Sequence, residues 1–193
     1  MYEAGDDPYC YPGTTVLKNL LDLRTQEELD EFESTITAQR ADEPLPLYAL
    51  DVEAYRAIHR HLFQDVYQWA GEYRTVRVSK GSSAFCYPDH IDREMRSLFD
   101  QLADENFLRD LEVESFSAKA AHFMAELNAI HPFREGNGRT QNIFLALLAD
   151  RAGHPLDFAR LDPPEMLNAM IASFKGHERP LRELILHLRR GGQ

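Results

Sequence analysis

Cysteine is scarce in this chain. Only Cys10 and Cys86 occur, far apart among 193 residues. Two such residues make neither a disulfide framework nor the paired spacing of a zinc site, so a reducing, cytoplasmic setting is expected. Basic residues are also in the minority, with 21 Lys and Arg against 32 Asp and Glu, a formal net charge of -11. That excess repels phosphate, which argues against nonspecific nucleic-acid binding and against an anionic membrane surface as partner. A basic partner or a local phosphate pocket stays open. Long apolar runs are missing as well. The longest, IFLALLA from Ile143, is far too short to span a bilayer. The opening MYEAGDDPYCYPG is acidic and lacks an apolar core, so no signal peptide is expected.

What is present is ordinary globular composition, 44% hydrophobic and 27% charged, enough for a full core. No repeat, low-complexity tract or linker interrupts it. One mostly α-helical domain over residues 1–193 is expected, with an N-terminal helical region to about 45 and a core from about 46.

Helical periodicity dominates. Thr25 and Glu28 stand in capping-box spacing at the start of TQEELDEFESTITAQR. Ala54, Ile58, Leu62, Val66 and Trp69 recur three or four apart and predict one buried face. His59 and His61 on that segment project to different sides, which suits packing or surface histidines rather than a metal pair. A helix is predicted through DHIDREMRSLFDQLADENF, and another carries Phe116, Ala120, Phe123, Leu127 and Ile130 up to His131. The segment after Gly138 is apolar almost all round from Ile143 to Ala149, as in a central buried helix. Gly153 and Pro155 end it, Asp162 and Pro163 start the next, and RPLRELILHLRR closes the chain.

One segment breaks the pattern. YRTVRVSKGSSAFCYP holds β-branched Thr75, Val76 and Val78, a Lys-Gly-Ser-Ser turn, then Phe85 and Cys86. It predicts a short β-hairpin or flap with its tip near Gly81.

The densest chemistry lies in HPFREGNGRT, residues 131–140. Gly136 and Gly138 precede a helix, where small residues let backbone N–H groups and the helix dipole approach an anion. Arg139 adds a donor fork suited to phosphate, and Asn137 a neutral amide. Glu135 would repel phosphate unless a divalent cation stood between them, the arrangement in which magnesium is held. His131 is the only side chain in the loop with a near-neutral reference pKa, which makes it the candidate base. A bland alternative exists: turn glycines, His131 as a helix cap, and an i, i+4 pair of Glu135 with Arg139. The coincidence of all these parts within nine residues favours phosphoryl or nucleotidyl transfer.

HPFREGNGR resembles the signature loop of the Fic family, His-x-Phe-x-Asp/Glu-Gly-Asn-Gly-Arg-x-x-Arg. YPGTTVLKN, LFQDVYQWAGEYRTVRVSKGSSAFCYP and LADENFL are similar to further landmarks of that family. The resemblance implies a Fic-fold helical bundle with a small β-hairpin flap, and transfer of AMP from ATP to a protein hydroxyl with Mg2+. By the same resemblance His131 is the general base, Phe133 the aromatic anchor of the loop and Glu135 the magnesium ligand. Gly136, Asn137 and Gly138 match the anion hole, and Arg139 matches the first phosphate arginine. Val76, Val78, Ser79, Lys80, Gly81 and Phe85 belong to the flap that docks the target. Gly138, near which kinase-like relatives carry a lysine, leaves room for the AMP-transferring orientation.

The resemblance is closest to bacterial Fic toxins paired with a small antitoxin, whose targets include type II topoisomerases (DNA gyrase and topoisomerase IV). No Ser or Thr is followed four residues later by Glu-Gly or Glu-Asn, the pattern of the family's self-inhibitory helix, which points to inhibition by a separate chain. The chain departs from the pattern at one place: Asn142 stands where the second arginine, which meets the terminal phosphate, belongs. Asn donates hydrogen bonds without positive charge. The departure predicts a weakened or altered enzyme, the alternatives being a nucleotide- or protein-binding module and transfer of a different phosphate-containing group. A deliberately detoxified sequence would look the same.

Overall fold

The computed structural model describes residues 7–45, 49–80 and 83–190. The fold is mostly α. The chain forms two compact units, one from Met1–Ile91 with Pro132–Thr140, the other from Asp92–His131 with Gln141–Gln193. The crossings fall inside or at the ends of helices, and no linker marks them.

The first unit contains α1, Gln26–Ala41, packed on α2, Val52–Phe63. Thr25 caps α1 as its spacing predicts: its hydroxyl accepts from the Glu28 N–H at 3.4 Å and donates to the Glu28 carboxylate at 2.6 Å. Asp51 caps α2 through the Ala54 N–H at 2.8 Å. Such caps each contribute about 1 kcal/mol. The face of Ala54, Ile58, Leu62 and Val66 is buried. Its helix stops earlier than predicted, however, at Phe63 rather than near Trp69. The Val66 and Tyr67 N–H groups both bond the Phe63 carbonyl, at 2.9 Å each, so turns replace the helix while Val66 stays buried.

The hairpin region holds a ladder of two residues per strand, β1 Ser79–Lys80 against β2 Ser83–Ala84, antiparallel with Ser79 opposite Ala84. Gly81, the expected tip, lies outside the described residues.

The second unit takes in most of α3, Ile91–Asp104, with α4, Val113–Ile130, α6, Pro163–Phe174, and α7, Arg179–Leu188. α7 packs on α4 and α6 through Leu181, Leu184, Ile185 and Leu188, all at most 2% exposed. α5, Asn137–Arg151, begins in the first unit and continues in the second. Two expectations fail in the second unit. α3 ends at Asp104, and Asn106, Phe107 and Leu108 form a left-handed turn with φ of 52°, 54° and 59°. Left-handed backbone costs a non-glycine residue about 1–2 kcal/mol, and burial of Leu108 offsets part of it. α5 is also not buried all round: Phe144, Leu145, Leu148 and Ala149 are fully buried, whereas Ile143, Ala146 and Leu147 are half-buried. Full burial thus follows one stripe of the helix, although the run is apolar on the other side as well.

Candidate active site

α4 delivers the chain to His131, which closes the helix in the left-handed region (φ 50°, ψ 63°) with its N–H on the Leu127 carbonyl at 3.1 Å. Backbone strain of this kind gathers at functional sites. His131 and Asn142 both belong to the second unit and are half-buried.

Residues 132–140 belong to the first unit, where nearly every one has a fixed partner. The Pro132 carbonyl accepts the Arg74 N–H at 2.9 Å. Phe133, with no exposed surface, stacks on His59 at 3.8 Å and Tyr55 at 5.6 Å between centroids. Asn137 staples the turn: its Oδ1 accepts the Phe133 N–H at 3.0 Å and its Nδ2 donates to the Phe133 carbonyl at 2.8 Å. The Asn137 amide, expected to face a phosphate, is thus engaged in holding the loop. Buried Arg134 pairs with Asp7 at 2.7 Å. Gly136 has φ +80°, and a Cβ there would lie 2.3 Å from the Phe63 ring, so only glycine fits. A Cβ at Gly138 would meet nothing within 4 Å, leaving open space over the first turn of α5. The N–H groups of that turn have no intrahelical acceptors and suit an anion.

His59 proves more than a packing residue. It is fully buried, and its Nδ1 accepts the Gly71 N–H at 2.8 Å. That bond fixes the tautomer with the proton on Nε2, which donates to the Glu135 carbonyl at 3.0 Å. Burial pushes its pKa down to about 3, so the ring is neutral at pH 7. It braces the backbone of the candidate metal ligand.

Glu135 itself is 45% exposed. Its Oε1 accepts the Gly136 N–H at 2.8 Å, and no hydrogen bond reaches its Oε2 among the described residues. Among the described residues no three His, Cys, Asp or Glu converge as a metal cage. One accessible carboxylate oxygen beside an anion-binding helix start fits magnesium, whose remaining ligands are phosphate oxygens and water.

Arg139 has company that spacing did not disclose. Its Nη2 pairs with Glu33 of α1, its Nη1 donates to Thr37 Oγ1 at 3.1 Å, and its guanidinium lies 4.7 Å from the Phe63 ring centre. Glu135 Oε1 stands 3.8 Å away, so the i, i+4 pair exists only at the edge of contact. Glu33 in turn accepts from the Tyr67 hydroxyl, whose pKa burial and that carboxylate push far upward. Both arginines within 131–140 therefore already face carboxylates from outside that segment.

Around the two-residue ladder, Val78 and Phe85 are buried and Ser79 is exposed, with the Phe85 N–H on the Val78 carbonyl at 3.2 Å. Arg74, 2% exposed, clamps the base by donating to the Val76 carbonyl at 2.7 Å and the Cys86 carbonyl at 2.6 Å. Through its own N–H on Pro132 it links this base to the loop. Arg74 sits inside a sequence landmark, yet nothing local marks it as the clamp.

The family model described as "Fic/DOC family" matches residues 49–149. The chain belongs to the Fic/DOC family. It is 52% identical over 181 residues to "Probable protein adenylyltransferase y4lH" of Sinorhizobium fredii, covering 93% of this chain and 94% of that one. It is 38% identical over 163 residues to "Probable protein adenylyltransferase Fic" of Escherichia coli, covering 83% and 81%. Among solved structures, the BepC protein of Bartonella tribocorum with bound AMPPNP matches with TM-score 0.85 and 28% identity over 96% of this chain and 97% of that one. Among the described residues no helix of this Fic protein is long and apolar enough to cross a membrane.

Proposed function

We propose that this Fic protein transfers AMP from ATP to a hydroxyl side chain of another protein. The observation that carries the proposal is the complete HPFREGNGR segment, braced by His59, Phe133 and Asn137 at the start of α5 in a chain half identical to a protein named as an adenylyltransferase. The target hydroxyl oxygen attacks the α-phosphorus, the bond to the bridging oxygen of the β-phosphate breaks, and pyrophosphate leaves. His131 takes the hydroxyl proton. The N–H groups at the start of α5 receive phosphate oxygens, and open space at Gly138 admits them. Glu135 would hold Mg2+ through its unengaged oxygen, and the ion would supply positive charge to the phosphates. The segment from Val76 to Phe85, with Val78, Ser79, Lys80 and Gly81, would dock the target by strand pairing.

Further features follow from resemblance, a bacterial type II topoisomerase as target and a small antitoxin as inhibitor, and the two distant cysteines favour a cytoplasmic setting. A second reading has an observation of its own. With Asn at 142 and a carboxylate partner already on Arg139, the loop carries little free positive charge for a terminal phosphate. A nucleotide- or protein-binding module, or transfer of a different phosphate-containing group, would share that property.

Product analysis separates the readings. ATP with magnesium and bacterial lysate should yield pyrophosphate in proportion to added acceptor protein. Orthophosphate as the product, or no turnover at all, would replace AMP transfer with the second reading.

A further inference from the structure

Glu33 has no place in the signature loop, yet it meets that loop's arginine from a helix 106 residues away in sequence. Three facts bear on what it does. Its side chain is 11% exposed, whereas Arg139 is 38% and Glu135 45% exposed. Its second oxygen is held by the Tyr67 hydroxyl, which remains a donor because its pKa is pushed far up. Arg139, for its part, lies between two carboxylates, in contact with Glu33 and 3.8 Å from Glu135.

The spacing of Arg139 and Glu135 is the i, i+4 spacing that normally brings opposite charges into contact. Here contact is diverted. Glu33, Thr37 and the Phe63 ring hold the guanidinium on the α1 side. Were Glu33 neutral, the strongest remaining attraction for Arg139 would be Glu135. The guanidinium would then compete with a cation for the carboxylate.

We propose that Glu33 is a positioning residue that draws Arg139 away from Glu135 and so keeps the Glu135 carboxylate available to a divalent cation. The inference rests on the proposed magnesium role of Glu135. Tyr67 completes the device by fixing the Glu33 carboxylate, which otherwise could rotate and release Arg139.

Calorimetric titration of ATP at graded magnesium concentrations tests this. Glu33→Gln preserves shape and removes charge. It should raise the magnesium concentration needed for half-maximal nucleotide binding by about 2- to 5-fold, the competition a partly exposed pair can exert. The double variant Glu33→Gln with Arg139→Gln removes the competitor, and its magnesium midpoint should return close to the parent value even though ATP affinity falls. A purely structural role for Glu33 would not be rescued by losing a second partner. Should Glu33→Gln fold poorly, Tyr67→Phe should shift the midpoint in the same direction by a smaller amount. An unchanged or lowered midpoint in Glu33→Gln, with the parent still magnesium-dependent, overturns the inference and makes Glu33 a bystander or a restraint. If the parent and Glu135→Ala bind ATP equally with magnesium and with chelator, the metal reading of Glu135 itself fails.

Discussion

At the residue scale, the two glycines of the loop separate structure from ligand binding. Gly136 is pressed on Phe63 at positive φ, so Gly136→Ala should destabilise the protein by about 1–3 kcal/mol, as overpacking does. Gly138 faces open space, so Gly138→Ala should leave the denaturation midpoint nearly unchanged while weakening ATP binding. Urea unfolding and calorimetry on the pair check this, and equal loss of stability in both would remove the distinction. Asn142 is the other informative position. Asn142→Arg would add a cationic contact, and a hydrogen bond to a charged group is worth roughly 1.5–3 kcal/mol, so transfer should rise about 10- to 100-fold in single turnover. The gain should shrink with a nucleotide lacking the γ-phosphate. A rate unchanged or lowered by arginine would show that position 142 does not serve that phosphate.

At the element scale, the segments with strong local signals were legible in sequence: the Thr25 cap of α1, the buried face of α2, and the helical state of the apolar run in α5, though not its one-sided burial. Legibility ended where tertiary contacts decide. The periodicity reaching Trp69 outlasted the helix, because turns kept Val66 buried without helical geometry. The left-handed turn at 106–108 carries no glycine to announce it. In the candidate site, the loop residues were legible from their types and spacing. Their supports His59, Glu33 and Arg74 were not, since each meets the loop only through the fold, His59 from 76 residues away. Arg74 offers a test at this scale. Arg74→Met removes two carbonyl contacts at the ladder base, so the Phe85 amide should exchange with solvent faster while amides in α2 keep their protection. Unaltered exchange at Phe85 would show that the ladder stands without the clamp.

At the scale of the whole molecule, buried His59 ties stability to pH. Its folded pKa of about 3 lies below the ordinary 6.5. Between those values the unfolded chain binds the proton and the folded chain does not. Stability is therefore full above pH 6.5 and falls as pH drops towards 3, with a slope of up to about 1.4 kcal/mol per pH unit from this group. Urea midpoints at pH 7 and pH 5 should separate more in the parent than in His59→Gln; equal separations would clear His59 of the effect. The charge of -11 acts at the same scale, disfavouring phosphate polymers while the start of α5 would provide one local place for a nucleotide. The central claim is that this place supports AMP transfer to protein, and dual labelling addresses it most directly. The chain is incubated with magnesium, bacterial lysate and ATP labelled either at the α- or at the γ-phosphate, beside His131→Ala. The account predicts a protein band carrying the α-label alone, absent with His131→Ala; a band carrying the γ-label, or an α-labelled band undiminished in His131→Ala, would contradict it.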